Sequence, residues 1–300
     1  MIHTVLRAGL SGLAFFSMFT VQAGVVLEDD AGQVFRFEKP AERIITLAPH
    51  LAELVFMAGA GETLVGTVEW SDHPPAAKAV PRIGDSFRID VERVIALQPD
   101  AVLAWGGGTP QHTIDRLREL GLPVAVLAPE DLASIPVQLE WVGKLTGNEQ
   151  ATARKAEAFR HGLRQLRETF ADEDVLRVFY QISGQPLFTI GKGHTITELI
   201  EICGGENIFS DLDARAHSVS REAVITRNPD VIVAGRYAGS GGELSDWRRW
   251  ENLAATRQGN LFSIDAERIA RPTPGILEGG RELCEALERA RENIKSNARN

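Results

Sequence analysis

Beyond its first two dozen residues the chain has no long apolar run, no Lys/Arg-rich stretch, only two cysteines and only two tyrosines. Each lack excludes something. Without another run of about 20 apolar residues, nothing past the N-terminus reads as a membrane span. A net charge of −9 with no basic run makes nucleic acid and anionic membrane surfaces poor partners. A basic protein partner stays open. After the leader there is no G-x-S-x-G elbow, H-E-x-x-H, Walker A loop or CxxC, and the seven histidines include no i, i+4 pair. Triads are recognised by geometry, so a secreted enzyme is kept as an alternative. The sequence itself points to no catalytic cofactor and no metal centre.

What is present starts with a leader. Arg7 and the terminal amine form a positive n-region, residues 8–21 an apolar h-region, and Val21, Gln22 and Ala23 a small-residue cleavage site. Residues 1–23 therefore read as a removed signal peptide, and no cysteine follows that could carry lipid. The mature chain is expected to be soluble and exported. In an oxidising compartment Cys203 and Cys284 are expected to be bridged. Without a CxxC or a histidine cluster they make a poor zinc site.

The dominant internal signal is a repeat. Residues 91–104, VERVIALQPDAVLA, recur 130 positions later as residues 221–234, REAVITRNPDVIVA. Glu92/Glu222, Val94/Val224, Ile95/Ile225, Pro99/Pro229, Asp100/Asp230 and Ala104/Ala234 stand in register. Asp90 and Ser220 are good N-caps, the paired aliphatics form an apolar stripe, and the prolines stop the helix. Each copy reads as a short helix, a Pro-Asp turn and a buried parallel strand. A second pairing, AELVFMAG at residues 52–59 with TELIEICG at residues 197–204, has an offset of 145. Two related α/β lobes follow.

Between them, residues 149–170 are rich in Ala, Arg, Glu and Leu, lack proline, and keep Ala156, Phe159, Leu163 and Leu166 on one face. About 22 helical residues span about 33 Å, enough for a stiff strut. The expected organisation is an N-terminal lobe at residues 24–147, a bridging helix at 148–171 and a C-terminal lobe at 172–300, both lobes Rossmann-like α/β units with a ligand cleft between them. The first lobe opens with a hairpin at residues 25–37. Its later strands are separated by helical segments, which calls for a parallel sheet. In the second lobe, residues 211–220 read as a polar loop, 239–242 as a flexible connector, 244–253 as a helical segment with Trp247 and Trp250, and 265–274 as a loop.

Ligands of α/β sheets bind beyond the carboxyl ends of the strands. Trp70, Trp105, Phe87 and Phe188 fall at or just after predicted strand ends. Loop tips usually carry Gly, Asn, Asp or Ser, so aromatics there suggest a large, flat, apolar ligand held between the lobes.

At this point the residues carry a resemblance. RIITLAPHLAELVFMAG, WSDHPPAA, VERVIALQPDAVLAW, ICGGENIF, SREAVITRNPDVIV and ELCEAL resemble the helical-backbone substrate-binding proteins of bacterial ABC importers, and among them the periplasmic vitamin B12 (cobalamin)-binding family. The likeness covers nearly the whole mature chain. It implies a periplasmic protein, expected to be a monomer, that holds a corrinoid as transported ligand between aromatic walls and hands it to a permease dimer in the inner membrane. By position it implies ligand contacts from Pro49 and His50 at a strand exit, from Trp70, Phe87, Trp105 and Phe188, and from Asp265, Ala266, Glu267, Arg268 and Ile269. It also implies that Glu92 and Glu222 meet arginines of the permease. Both glutamates equally suit the first turn of a helix, where a carboxylate complements the dipole by about 0.3 to 1 kcal/mol. The chain departs from the family where Ala216 and His217 replace a tryptophan, and where His50 replaces a small residue. Related proteins of this architecture carry haem or ferric siderophores. That is the alternative ligand class, with His50, His217 or Tyr237 as haem ligands.

Overall fold

A short antiparallel hairpin opens the structure, β1 (Val25–Glu28) with β2 (Val34–Phe37), turning where Asp29, Asp30, Ala31 and Gly32 predict a turn. The protein is a computed structural model that describes residues 24–171, 173–237 and 244–299. The leader and the 239–242 connector read from the sequence lie outside the described residues.

The hairpin turn caps the sheet edge of the first lobe. Asp29 accepts from the Val126 amide at 2.8 Å and Asp30 from the Ala128 amide at 2.6 Å. That lobe runs β3 (Ile44–Thr46), α1 (Pro49–Met57), β4 (Leu64–Thr67), α2 (Val91–Ala96), β5 (Ala101–Trp105), α3 (Gln111–Glu119), β6 (Val124–Leu127) and α4 (Ser134–Thr146). Its four strands are parallel in the order β4-β3-β5-β6, as the alternation predicts. Pro49 and His50 are not a strand exit. They open α1, with Ala48 as N-cap and the proline in the first turn, where its missing N–H costs nothing.

The bridging helix α5 (Glu149–Thr169) matches expectation, and its Phe159, Leu163 and Leu166 pack into the core of the second lobe. It also lies tightly on α4. A Cβ at Gly143 would sit 1.9 Å from Thr152 Oγ1, so only glycine permits that approach.

The second lobe is built from β7 (Leu176–Gly184), β8 (Leu187–Ile190), α6 (Thr195–Ile202), β9 (Gly205–Asn207), β10 (Ala216–Ser218), α7 (Arg221–Arg227), β11 (Val231–Arg236), α8 (Ala254–Arg257), β12 (Leu261–Asp265), α9 (Ala266–Ala270) and α10 (Ile276–Asn297). Its sheet is mixed. β7, β11 and β12 are parallel, but β8 returns antiparallel from β7 and β10 adds antiparallel to β8. Three local expectations are corrected here. The 211–220 loop contains β10, an edge strand held by β8 and too short and polar to show alternation. The 265–274 loop contains α9, capped by the Asp265 side chain, which accepts from the amides of Glu267 and Arg268. The 244–253 segment makes only a single 3-10 turn at Trp247–Arg249. It is fixed by the buried Trp247, whose Nε1 donates to Gln181 at 2.6 Å.

Both copies of the repeat form the predicted helix, turn and strand. Asp90 accepts from the Arg93 amide and Ser220 from the Ala223 amide, and β5 and β11 are each buried over their first four residues. Cys203 and Cys284 are bridged, tying α6 to α10 across 81 residues. Closing a loop of that length contributes roughly 4 to 5 kcal/mol on the chain-entropy account. The double variant Cys203→Ser/Cys284→Ser should lose about 4 kcal/mol in urea unfolding. A loss under about 1 kcal/mol would show that the bridge is incidental to stability.

Candidate functional site

The lobes face each other across the carboxyl ends of β5, β6, β11 and β12, where open α/β sheets place ligands. β5 ends on Trp105, which lies half-buried at the mouth of the cleft. Gly107 and Gly108 lie so close against its indole that a Cβ on Gly108 would come within 2.2 Å of the ring. The glycines after this strand make room for the aromatic. Facing it are Ala216, Ala270 and Pro272 of the second lobe, with Ala128 and Pro129 alongside, enclosing a largely apolar cavity of about 420 Å³.

A second, charged cavity of about 340 Å³ adjoins it, lined by Glu53 and His73 of the first lobe and by Asp265, Glu267, Arg268, Arg271 and Thr273 of the second, among others. The chain from residue 270 to 273 separates the two spaces. Ala270 and Pro272 face the apolar side, Arg271 and Thr273 the charged side.

Trp70 and Phe87 are exposed on adjoining loops of the first lobe, at 76% and 73%. The Glu69 amide donates to Gly84 O at 2.9 Å, and an Asp85 turn receiving the Phe87 and Arg88 amides shapes the second loop. Those two N–H groups hold the Asp85 carboxyl below its usual pKa. Trp70 has φ of +66°, a conformation bulky residues avoid. Packing does not explain it, because the side chain stands in solvent. Phe188 is half-buried on β8 beside the edge strand.

His50 lies beneath Trp105, edge to face at 5.1 Å, and is only 5% exposed. Its Nε2 and that of His217 are buried without a hydrogen-bond partner among the described residues. Tyr237 follows β11 and is half-exposed. Asp265, Glu267 and Arg268 border the charged cavity, whereas Ala266 and Ile269 are buried inside the second lobe.

Burial, with the Arg271 charge second, pushes the His50 pKa from its ordinary 6.5 to about 3. Burial and then Arg215 push His194 to about 4. Both rings stay neutral in the folded protein while the unfolded chain binds a proton on each below about pH 6.5. The unfolded state therefore gains protons between about pH 6.5 and 4, and stability is full above that window and falls as pH falls through it. Urea unfolding at pH 5 should show about 2 to 4 kcal/mol less stability than at pH 7. His194→Asn, which retains a capping oxygen for α6 in place of the imidazole that accepts from the Ile196 amide, should remove about half of that drop. A flat profile would contradict the burial argument.

His194, Arg215, the 128–130 loop, Ala270 and Pro272 were not singled out by sequence reasoning. Residues 128–130 carry the same signal as Trp105, a position just past a strand. Ala270 and Pro272 are small and carry no chemical flag.

Two α/β lobes joined by one rigid helix, with an aromatic wall facing small residues across the gap, are the architecture of a bilobal solute-binding protein. The periplasmic binding protein family model matches residues 44–268, and the chain belongs to that family. A vitamin B12-binding protein of Vibrio cholerae serotype O1 is 34% identical over 254 residues, covering 84% of this chain and 91% of its own. The crystal structure of the periplasmic vitamin B12 binding protein BtuF of Vibrio cholerae superposes with a TM-score of 0.78 at 34% identity, covering 84% of this chain and 98% of its own. A periplasmic heme-binding protein, RhuT from Roseiflexus sp. RS-1, shares the fold with a TM-score of 0.73 at 23% identity, covering 83% of this chain and 99% of its own. The family consists of substrate-binding proteins, and proteins of this kind deliver ligand to ABC transporter permeases.

Proposed function

We propose that this protein captures cobalamin or a related corrinoid and delivers it to an ABC permease dimer in the inner membrane. It acts in the periplasm, after loss of residues 1–23, as a monomer and without catalysing a reaction. Lobes at 24–147 and 172–300 are joined by the helix at 148–171, a stiff strut that favours small motion over wide hinging. The observation that carries the ligand reading is the divided cleft. A corrinoid has a broad, flat, apolar ring with polar amide arms, and here an apolar space walled by Trp105 adjoins a charged one lined by Asp265, Glu267 and Arg268. The corrin already encloses its cobalt, so aromatic burial and a few hydrogen bonds suffice. Pro49, His50, Trp70, Phe87, Phe188, His217, Ala266 and Ile269 complete the proposed site, the buried ones by supporting those that touch ligand. Cyanocobalamin and haemin, titrated separately while visible spectra and tryptophan fluorescence are followed, distinguish the ligand classes. Saturable quenching with cobalamin is expected. A Soret shift with stoichiometric haemin, and no response to cobalamin, would overturn the reading.

A further inference from the structure

The helix α1 is buried along Leu51, Ala52, Leu54 and Val55, yet it carries Glu53 in the same buried stretch, 6% exposed. A buried carboxylate is costly unless paired and hydrogen-bonded. Its partners come from the other lobe. Thr273 Oγ1 donates to Glu53 Oε1 at 2.7 Å, and Arg271 Nη1 stands 3.6 Å from Glu53 Oε2. These partners belong to the segment dividing the cleft.

The same arrangement occurs in reverse. In the second pairing of the repeat, Glu53 falls in register with Glu198 on α6. Glu198 Oε2 accepts from the Leu132 amide of the first lobe at 2.9 Å, and its Oε1 pairs with Arg167 of α5 at 2.8 Å. Leu132 closely follows Ala128, Pro129 and Glu130, which line the apolar cavity. Each lobe thus uses the equivalent glutamate of an equivalent helix to hold the opposite lobe's rim of the cleft.

We propose that Glu53 and Glu198 are reciprocal positioning residues that clasp the two cleft rims across the lobes and set the width of the binding site. Glu198 lines neither cavity, and Glu53 borders the charged one with its carboxylate engaged by Thr273 and Arg271. Glu53 fixes the wall bearing Ala270 and Pro272, and Glu198 fixes the loop bearing Ala128 and Pro129. Arg215 adds a further crossing on the second rim, donating to Pro129 O at 3.1 Å and Glu130 O at 3.2 Å. Glu53 is the more deeply buried clasp, 6% exposed, whereas the Glu198 side chain is 27% exposed.

The test has two arms on the mature full-length protein. The affinity arm rests on the corrinoid reading above; the second needs no ligand. By calorimetry with cyanocobalamin, Glu53→Ala should weaken binding about tenfold, a change typical of losing one buried hydrogen-bonded charge contact. Glu53→Gln, which still accepts from Thr273, should stay within about threefold. Thr273→Val should weaken binding, and adding it to Glu53→Ala should bring little further loss, because both remove one clasp. Without ligand, hydrogen exchange should quicken in residues 270–278 for Glu53→Ala and in residues 128–136 for Glu198→Ala, each in the lobe opposite the substitution. Unchanged affinity in every variant, or faster exchange confined to the substituted helix, would overturn the proposal. If the wild type takes no cobalamin, the ligand reading fails alone and exchange still decides the clasp.

Discussion

Trp105→Ala should weaken cyanocobalamin binding about thirtyfold, equivalent to about 2 kcal/mol, measured by calorimetry. The indole is the principal aromatic surface in the apolar cavity, and it is rigid before ligand arrives. His50 supports it from below, Gly107 and Gly108 lie against it, and its backbone amide donates to Thr109 Oγ1 at 3.0 Å. A prearranged aromatic wall costs little ordering entropy on binding, so most of its contact area contributes to affinity. Trp105→Phe should recover a large part of the loss. Trp250→Ala, at a 43% exposed position beside α7, should leave affinity unchanged. Equal losses from Trp105→Ala and Trp250→Ala would place the ligand outside the cleft.

The second large effect concerns delivery. Glu92 and Glu222 sit at equivalent positions in the first turns of α2 and α7, both exposed, and neither joins a salt bridge among the described residues. Their docking role is a proposal, supported by matching placement on the two lobes and by the chain's negative charge. Reversing both, Glu92→Arg/Glu222→Arg, should reduce transport to background. Permease affinity should fall at least about a hundredfold, since each reversal replaces an attractive contact with a repulsive one. Cyanocobalamin affinity should stay within about twofold, because both residues lie outside the cavities. A single reversal should leave partial transport, since the other lobe still docks. Large loss of ligand affinity in the double variant would contradict the docking assignment.

Much of this organisation is written locally in the chain. Asp90 and Ser220 cap α2 and α7 by their own side chains, Pro99 and Pro229 end those helices, and the aliphatic runs after them are buried strands. All of this depends on neighbours within a few residues. β9 and β10 were missed because their three-residue lengths acquire strand geometry only from β7 and β8. α9 was missed because its five residues lie below the length at which periodicity shows, although Asp265 followed by helix-forming residues is a start signal. In the site, Trp105 was legible because an aromatic after a buried strand is unusual. Glu53 and Glu198 were visible as a shared glutamate within the second repeat, but their interlobe partners are more than 60 residues away. No local pattern marks such a contact.

The most direct test of the central claim is a crystal structure of the mature protein grown with cyanocobalamin, with the cobalt located by its anomalous scattering. The account predicts one cobalt peak between the lobes, in the gap between Trp105 and the wall formed by Ala270 and Pro272. A cobalt bound anywhere else on the molecule, or a cleft that excludes the corrinoid at saturating concentration, would contradict it.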